Sequence, residues 1–345
     1  MRLPPLLVGL LLASLAVACT DTEVPPDTVT TPTSAVASTA TATPSPSPTT
    51  TPTPSSTPAP TPIASPTPTP APPPTPTPDP RLARCDGLVE RGDVLREAVE
   101  GAMDGYVGGW GLALVDLDCD QVILVNPEHS QYPASGGKIV VVITALRAVQ
   151  DGELTFEGEV QEDIELILSK SLDSHSDRLN DNVTSEQIQS VLERAGVSAV
   201  SEYEHSWRYA HLAPLDLARI WTSLVRGEQL DEEWTAYLLD LATRPELGPA
   251  FWPFPPEWGV EGYTYGQKAG YWPSPTPIGY RVSAGYARPS NGTSEGYVFA
   301  FMIRAVWQDL AGWWQRPVFP LVRDFIVDEM GEAVSDGEGD SDAAE

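Results

Sequence analysis

The chain has 345 residues, of which 48 are acidic and 20 are basic, so its net charge is −28. An acidic balance of this size argues against nucleic acid and against an anionic membrane surface as partners. Arg81 to Gly331 spans roughly 250 residues, which is enough for one large core or two closely packed lobes.

The N-terminal segment, residues 1–19, predicts export and a lipid anchor. After Arg2, the apolar run from Leu6 to Val17 is shorter than the ~20 residues that a spanning helix needs, which is typical of a secretory signal. Ala16-Val17-Ala18-Cys19 then resembles the bacterial lipobox, which implies a lipidated Cys19. The alternative is an ordinary signal peptide with an incidental cysteine. We expect an extracytoplasmic protein, at the cell surface or in the periplasm, that meets the membrane only through its lipid.

Two further segments outside the domain have biased compositions. Thr20 to Pro80 consists almost entirely of Thr, Pro, Ser and Ala, and it predicts a disordered stalk that favours polyproline II, with a reach on the order of 100 Å. Residues 332–345 are acidic and predict a solvated, disordered tail. The domain itself is expected over residues 81–331.

Hydrophobic periodicity and boundary residues predict helices and strands in a definite order along the domain. The predicted helices are Asp86–Asp104, Lys138–Val149, Thr184–Gly196, Pro214–Gly227, Glu232–Thr243 and Pro320–Met330. The predicted strands are Trp110–Leu117, Gln121–Val125, Gly279–Ala287 and Gly296–Trp307. This order predicts an α/β fold of the α+β sandwich type, in which an antiparallel sheet from both chain ends packs against helices and a separate lobe is all helical.

The cysteines and histidines are few. With Cys19 assigned to the lipid, Cys85 and Cys119 remain as a possible disulfide in an oxidising compartment, and the sequence leaves open whether they pair. The four histidines lack a metal-ligand spacing with each other or with cysteine, so we expect neither a metal nor another cofactor. They are His129, His175, His205 and His211.

Ser135 and Lys138 form the first candidate catalytic pair. A separation of three places them on one helical face at the start of a wholly apolar helix. An amine that is partly desolvated there can lose its proton and activate the hydroxyl, and the helix N-terminus favours a developing oxyanion. The alternative is a capping serine beside a solvated lysine.

The second candidate is Lys268-Ala269-Gly270, ahead of the returning strands. A cation on a sheet edge that faces the nucleophile would lower the pKa of the first amine and hold an anionic substrate. Gly270 would let a substrate backbone approach closely. Alone, such a triplet is more typical of a surface lysine.

In this order and spacing, these residues resemble the penicillin-recognising serine hydrolases, most closely the class A β-lactamases, over roughly Asp86 to Gly331. The resemblance implies that Ser135 attacks a lactam or peptide carbonyl with Lys138 as base. It also implies an oxyanion hole from the backbone N–H groups of Ser135 and Tyr271. Arg281 is placed like the family arginine that holds the substrate carboxylate, although an exposed strand arginine is an equal interpretation.

Three departures from the family pattern bear on activity. The Ser-Asp-Asn motif is missing, and Ser171 is the best match for its serine, with Ser176-Asp177-Arg178 and Asn180-Asp181-Asn182 as competing positions. Ala269 replaces a hydroxyl residue that contacts the substrate carboxylate. The Glu-x-x-Leu-Asn loop is not recognisable around Glu202 and Glu204, and the family uses that glutamate to activate the deacylating water.

Two functions follow as hypotheses. The first is a monomeric serine hydrolase, acylated at Ser135 by a β-lactam or D-alanyl peptide-like substrate and slow to deacylate. The second is a non-catalytic module on the same fold that binds peptidoglycan. Covalent labelling of Ser135 would distinguish them.

Overall fold

The computed structural model describes residues 84–197, 207, 210–244, 246, 262–273, 276–306 and 318–335. The chain divides into two units, Met1–Pro72 and Pro73–Glu345, and every described residue belongs to the second. The predicted lipidation at Cys19, the stalk, and Glu202 and Glu204 lie outside the described residues. No helix among the described residues is both long and apolar enough to cross a membrane.

Five antiparallel strands form one sheet in the order β2-β1-β5-β4-β3. The strands are β1 (Gly109–Asp116), β2 (Gln121–Val125), β3 (Tyr263–Pro273), β4 (Ile278–Pro289) and β5 (Tyr297–Val306). Strands from the two chain ends meet where β1 pairs with β5, which confirms the predicted sheet. β3 was predicted only as a sheet edge at Lys268, because Gly266 and Gly270 interrupt its apolar alternation.

The helices match the predicted positions and add two in the middle of the chain. They are α1 (Leu88–Ala102), α2 (Lys138–Gln150), α3 (Glu159–Ser169), α4 (Asp173–Asp181), α5 (Ser185–Arg194), α6 (Pro214–Val225), α7 (Glu232–Ala242) and α8 (Val318–Ser335). Thr184 caps α5 as predicted, because its hydroxyl accepts from the N–H of Gln187 at 3.2 Å. α8 continues to Ser335 and so includes the first four residues of the predicted tail.

Side-chain alternation on the sheet separates two apolar layers. On β5, Val298, Ala300 and Met302 face the core shared with α2 and the helical lobe. The intervening residues Phe299, Phe301 and Ile303 face the core shared with α1 and α8. Because successive strand residues point to opposite faces, one strand contributes to both layers. The helical lobe packs on the sheet through α6, and the segment that leads into α2 and carries the candidate nucleophile lies against β3 and β4.

The start of the domain is fixed to the sheet by a disulfide and a buried arginine. Cys85 and Cys119 are bonded, and they lie 34 positions apart in sequence. The Arg84 guanidinium donates to both carboxylate oxygens of Asp116, at 2.7 and 2.9 Å, and also pairs with Asp118. The possible pairing left open by the sequence is therefore present.

Replacing both Cys85 and Cys119 by serine is expected to lower the free energy of unfolding by about 3–4 kcal/mol, because the bond closes a long loop in the unfolded chain. Urea unfolding of the parent and the double variant at pH 7 measures the change. A reduced parent provides the matched control and is expected to lose the same amount. Equal stability of all three samples would contradict the prediction.

Candidate active site

The candidate nucleophile lies in a short helical segment that leads into α2. Ala134–Gly137 form a 3₁₀ helix, and α2 begins at Lys138 without a break. Ala134 has a φ of 47°, a left-handed conformation that L-residues adopt at a cost. The sharp change of direction at Ala134 sets Ser135 at the N-terminal end of the buried helix, as the sequence predicts.

Strand β3 lies directly against the backbone of the nucleophile. A Cβ added at Gly270 would come within 2.5 Å of the nitrogen of Gly136 and 2.9 Å of the nitrogen of Ser135. No side chain fits in this gap, so Gly270 is required for close approach of two backbones. The predicted reason for this glycine was approach of a substrate; the structure gives a different one, contact with the segment that carries Ser135.

Ser171 contacts both catalytic lysine candidates. Its carbonyl oxygen accepts from the amine of Lys138 at 2.7 Å, and its hydroxyl lies 2.7 Å from the amine of Lys268. The residue has a φ of 58°, a conformation unusual outside glycine and enriched at functional sites. This turn between α3 and α4 presents the carbonyl to one lysine and the hydroxyl to the other.

Lys138 is completely buried and surrounded by groups that stabilise a positive charge. Its amine is 2.5 Å from an Asp173 carboxylate oxygen and lies 4.6 Å from the centre of the Trp207 ring. A carboxylate, a carbonyl and an aromatic face all interact favourably with an ammonium group. The sequence identified neither Asp173 nor Trp207 as a site residue.

Lys268 is also buried, with neutral hydrogen-bond partners. Its amine contacts the Ser171 hydroxyl and the carbonyl of Ala269, the latter at 3.2 Å. Burial holds the pKa of Lys268 well below its usual value, and the nearby charge of Lys138 lowers it further. Two buried amines therefore lie close together, and they differ in the charge of their partners.

Next to the two lysines lies a cavity of about 300 Å³, which is within the size range of small-molecule sites. Ser135 lies in its wall together with Ser171, Asp173 and the strand residues Ala269, Gly270 and Tyr271. Four predicted site residues thus lie on the wall of one cavity: Ser135, Ser171, Gly270 and Tyr271. The amines of Lys138 and Lys268 are both hydrogen-bonded to Ser171.

Residues 94–178, which include Ser135, Lys138 and Ser171, match the model of the β-lactamase enzyme family. The TLA-1 extended-spectrum β-lactamase is 15% identical with a TM-score of 0.57, over 68% of this chain and 99% of that one. The β-lactamase from Sphaerobacter thermophilus is 17% identical with a TM-score of 0.55, over 69% of this chain and 97% of that one. The domain has the β-lactamase fold.

A third solved β-lactamase, from Xanthomonas campestris pv. campestris, is 16% identical with a TM-score of 0.56 and matches 68% of this chain and 98% of its own. No curated protein sequence matches the chain at a significant level. The family match and the shared fold together support the assignment of this domain to the superfamily of β-lactamases and related serine hydrolases. At these identities the solved structures establish the fold alone.

On this β-lactamase-like domain, Arg281 does not border the cavity. It lies opposite Tyr271 across β3 and β4, and its guanidinium is 4.8 Å from the centre of the Tyr271 ring. Tyr271 itself lines the cavity, so Arg281 is one residue removed from it. Arg281 could therefore hold a substrate carboxylate in the cavity only if its guanidinium moved off the ring of Tyr271.

The competing positions for the serine of the Ser-Asp-Asn motif do not line this cavity. Ser176 is fully buried within α4, and its hydroxyl donates to the carbonyl of Leu172 at 3.0 Å. Asn180 to Asn182 form the end of the same helix. Ser171 is therefore the serine of this region that meets both lysines.

Asp173 does not follow from the family pattern, which has asparagine at that position. Ser171-Leu172-Asp173 keeps the spacing of Ser-Asp-Asn, but an acid stands where the family has an amide. That spacing was the one signal that could have identified it. Trp207 had no signal, because it approaches Lys138 from a position far away in the sequence.

Proposed function

We propose that this domain is a serine acyl hydrolase that forms a covalent acyl-enzyme through Ser135 with β-lactams or D-alanyl peptide-like amides. The observation that supports this most directly is the Ser171 bridge between Lys138 and Lys268, on the wall of the cavity that contains Ser135. A binding module has no need to bury two amines beside a hydroxyl, since each buried amine carries a desolvation cost.

The proposed reaction uses side chains and backbone groups that lie around the cavity. Ser135 supplies the nucleophilic oxygen, and a neutral lysine supplies the base. The backbone N–H groups of Ser135 and Tyr271, on the two segments that meet at Gly270, would stabilise the oxyanion. The N-terminus of α2 gives the site a positive potential that favours a carboxylate-bearing substrate. Ala269 adds no hydroxyl contact, so substrate binding is expected to be weaker than in relatives with threonine or serine there.

The proposal includes slow deacylation. No part of the sequence from Ser201 to His211 has the pattern of the water-activating glutamate loop. Without that base, water attack on the acyl-enzyme loses the contribution of general-base catalysis, which is typically about 10²–10⁴-fold. The proposed setting is a lipid-anchored protein outside the cytoplasm, where a peptidoglycan-type substrate is present.

Intact mass spectrometry tests the proposal. We expect the full chain to gain the mass of benzylpenicillin and keep it for minutes or longer, and Ser135→Ala to gain nothing. Ser174→Ala, at an exposed position on α4, is the matched control and should label like the parent. If the parent neither gains mass nor consumes the drug, and a D-alanyl-D-alanine peptide also leaves it unlabelled and uncleaved, the non-catalytic binding module replaces this proposal.

A further inference from the structure

We propose that Asp173 holds a proton on Lys138, so that Lys268, acting through Ser171, is the base that accepts the proton of the nucleophile. The resemblance to class A enzymes implies the opposite assignment, with Lys138 as base. The inference rests on the proposed function for Ser135 as nucleophile, but it concerns which amine is charged before any substrate arrives.

The contacts of Lys138 favour the ammonium form. An Asp173 carboxylate oxygen at 2.5 Å and the Ser171 carbonyl oxygen at 2.7 Å both accept hydrogen bonds, and neither can donate to an amine lone pair. The Trp207 ring covers a third side of the amine, at 4.6 Å. An asparagine at 173 could turn its N–H₂ toward a neutral amine, whereas an ionised aspartate cannot.

The contacts of Lys268 favour the neutral form. Within the described part of the chain, its hydrogen bonds go to a hydroxyl and a carbonyl, and none goes to a carboxylate. A hydroxyl can donate as well as accept, so Ser171 can bond either form of the amine. Burial and the charge of Lys138 hold the pKa of Lys268 well below its usual value, with Asp173 opposing them.

The other charged groups around the cavity do not reverse this difference. Lys170 lies on the cavity wall and pairs with Glu246 at 3.3 Å. Arg281 on β4 is turned onto the ring of Tyr271, beyond the edge of the cavity. Neither is among the charges that shift the pKa of Lys268, which are Lys138 and Asp173.

In the proposed reaction, a proton moves from Ser135 toward Lys268 during attack and back toward the substrate when the leaving group departs. As the Ser135 oxygen bonds to the substrate carbonyl carbon, its proton passes to the Ser171 oxygen, and the Ser171 proton passes to the nitrogen of Lys268. The carbonyl π electrons move to the oxygen, which becomes the oxyanion. The oxyanion then re-forms the carbonyl as the carbon–nitrogen bond breaks. Ser171 gives its proton to the leaving nitrogen and takes one back from Lys268, which is neutral again.

Lysine NMR of the substrate-free protein tests the charge assignment. With ¹³C-labelled lysine, and each resonance assigned by its loss in Lys138→Arg or Lys268→Arg, we expect Lys268 to titrate at lower pH than Lys138. In Asp173→Asn, which removes the carboxylate with little change of shape, the titration of Lys138 should shift to lower pH. Asp181→Asn, an exposed position at the end of the same helix, should shift neither lysine.

Acylation kinetics supply a second readout. Lys268→Arg should reduce the rate of labelling by benzylpenicillin by about 10²–10⁴-fold, the usual contribution of a general base. If Lys138 titrates below Lys268 in the parent, or if Asp173→Asn leaves both titrations unchanged, the inference is wrong even when Ser135 is acylated. Absence of labelling with the expected titrations would instead contradict the proposed function and leave the charge assignment standing.

Discussion

Gly270→Ala is expected to lower the rate of Ser135 acylation at least about 100-fold, because small displacements of a reacting group cost that much. The added methyl would overlap the nitrogen of Gly136 and the carbonyl oxygen of Pro133, at 2.5 and 2.7 Å. Both are backbone atoms of the segment that carries Ser135, so β3 or that segment must shift. Overpacking of this kind also destabilises by about 1–3 kcal/mol.

Stopped-flow or time-resolved mass measurement of acylation, on protein shown by circular dichroism to be folded, would give the rate. Gly101→Ala is the matched control, because its Cβ on α1 would meet nothing within 4 Å. That variant should acylate at the parent rate and gain about 0.5–1 kcal/mol, the usual difference between alanine and glycine in a helix. Parent-like acylation by folded Gly270→Ala would show that β3 does not constrain the nucleophile.

Lys268→Met is expected to abolish acylation and at the same time to stabilise the fold at neutral pH by roughly 0.5–2 kcal/mol, the range typical of a single stabilising substitution. The parent amine is buried against neutral partners, so folding removes it from water without a compensating carboxylate. Methionine has a similar shape and no charge to desolvate, but it cannot accept a proton.

The stability gain should depend on pH in a defined direction. The pKa of Lys268 is lowered in the folded state, so the unfolded chain binds more protons between the folded pKa and the unfolded value of about 10.4. The stability of the parent relative to Lys268→Met therefore increases with pH through that window. The advantage of the variant is largest below the folded pKa and disappears above the unfolded one.

Urea unfolding at pH 7 and at pH 9.5 would measure this dependence. Lys170→Met provides the stability control, because the Lys170 side chain is 46% exposed and its replacement should change stability little at either pH. A pH-independent difference between the parent and Lys268→Met would mean that Lys268 is charged in the folded protein. That result would also remove the chemical basis for Lys268 as a base.

Much of the fold could be predicted from local sequence patterns. The apolar run after Lys138 identified α2 as a buried helix, and the two apolar, β-rich runs on either side of Asp118 identified β1 and β2. Helix boundaries followed from Thr184 and Pro214, because capping and the restricted φ of proline act within one turn. These features depend on near neighbours in sequence, so the sequence alone specifies them.

Several residues of the candidate site could also be identified from the sequence, but their contacts with each other could not. Ser135 and Lys138 lie one helical turn apart whatever the rest of the chain does, and Lys268 was placed on a sheet edge. The pairing of Cys85 with Cys119 stayed open, because two cysteines 34 residues apart carry no information about their distance in space.

The charge of each lysine was decided by the tertiary structure alone. The sequence around Lys138 and Lys268 does not indicate which of them is charged. Packing places Lys138 against a carboxylate from α4 and Lys268 against the hydroxyl of Ser171. Burial and the sign of the nearest charge set a pKa, and both depend on contacts between residues 33 to 97 positions apart. The sequence by itself determined which residues are present at the site; the tertiary structure determined which of them can accept a proton.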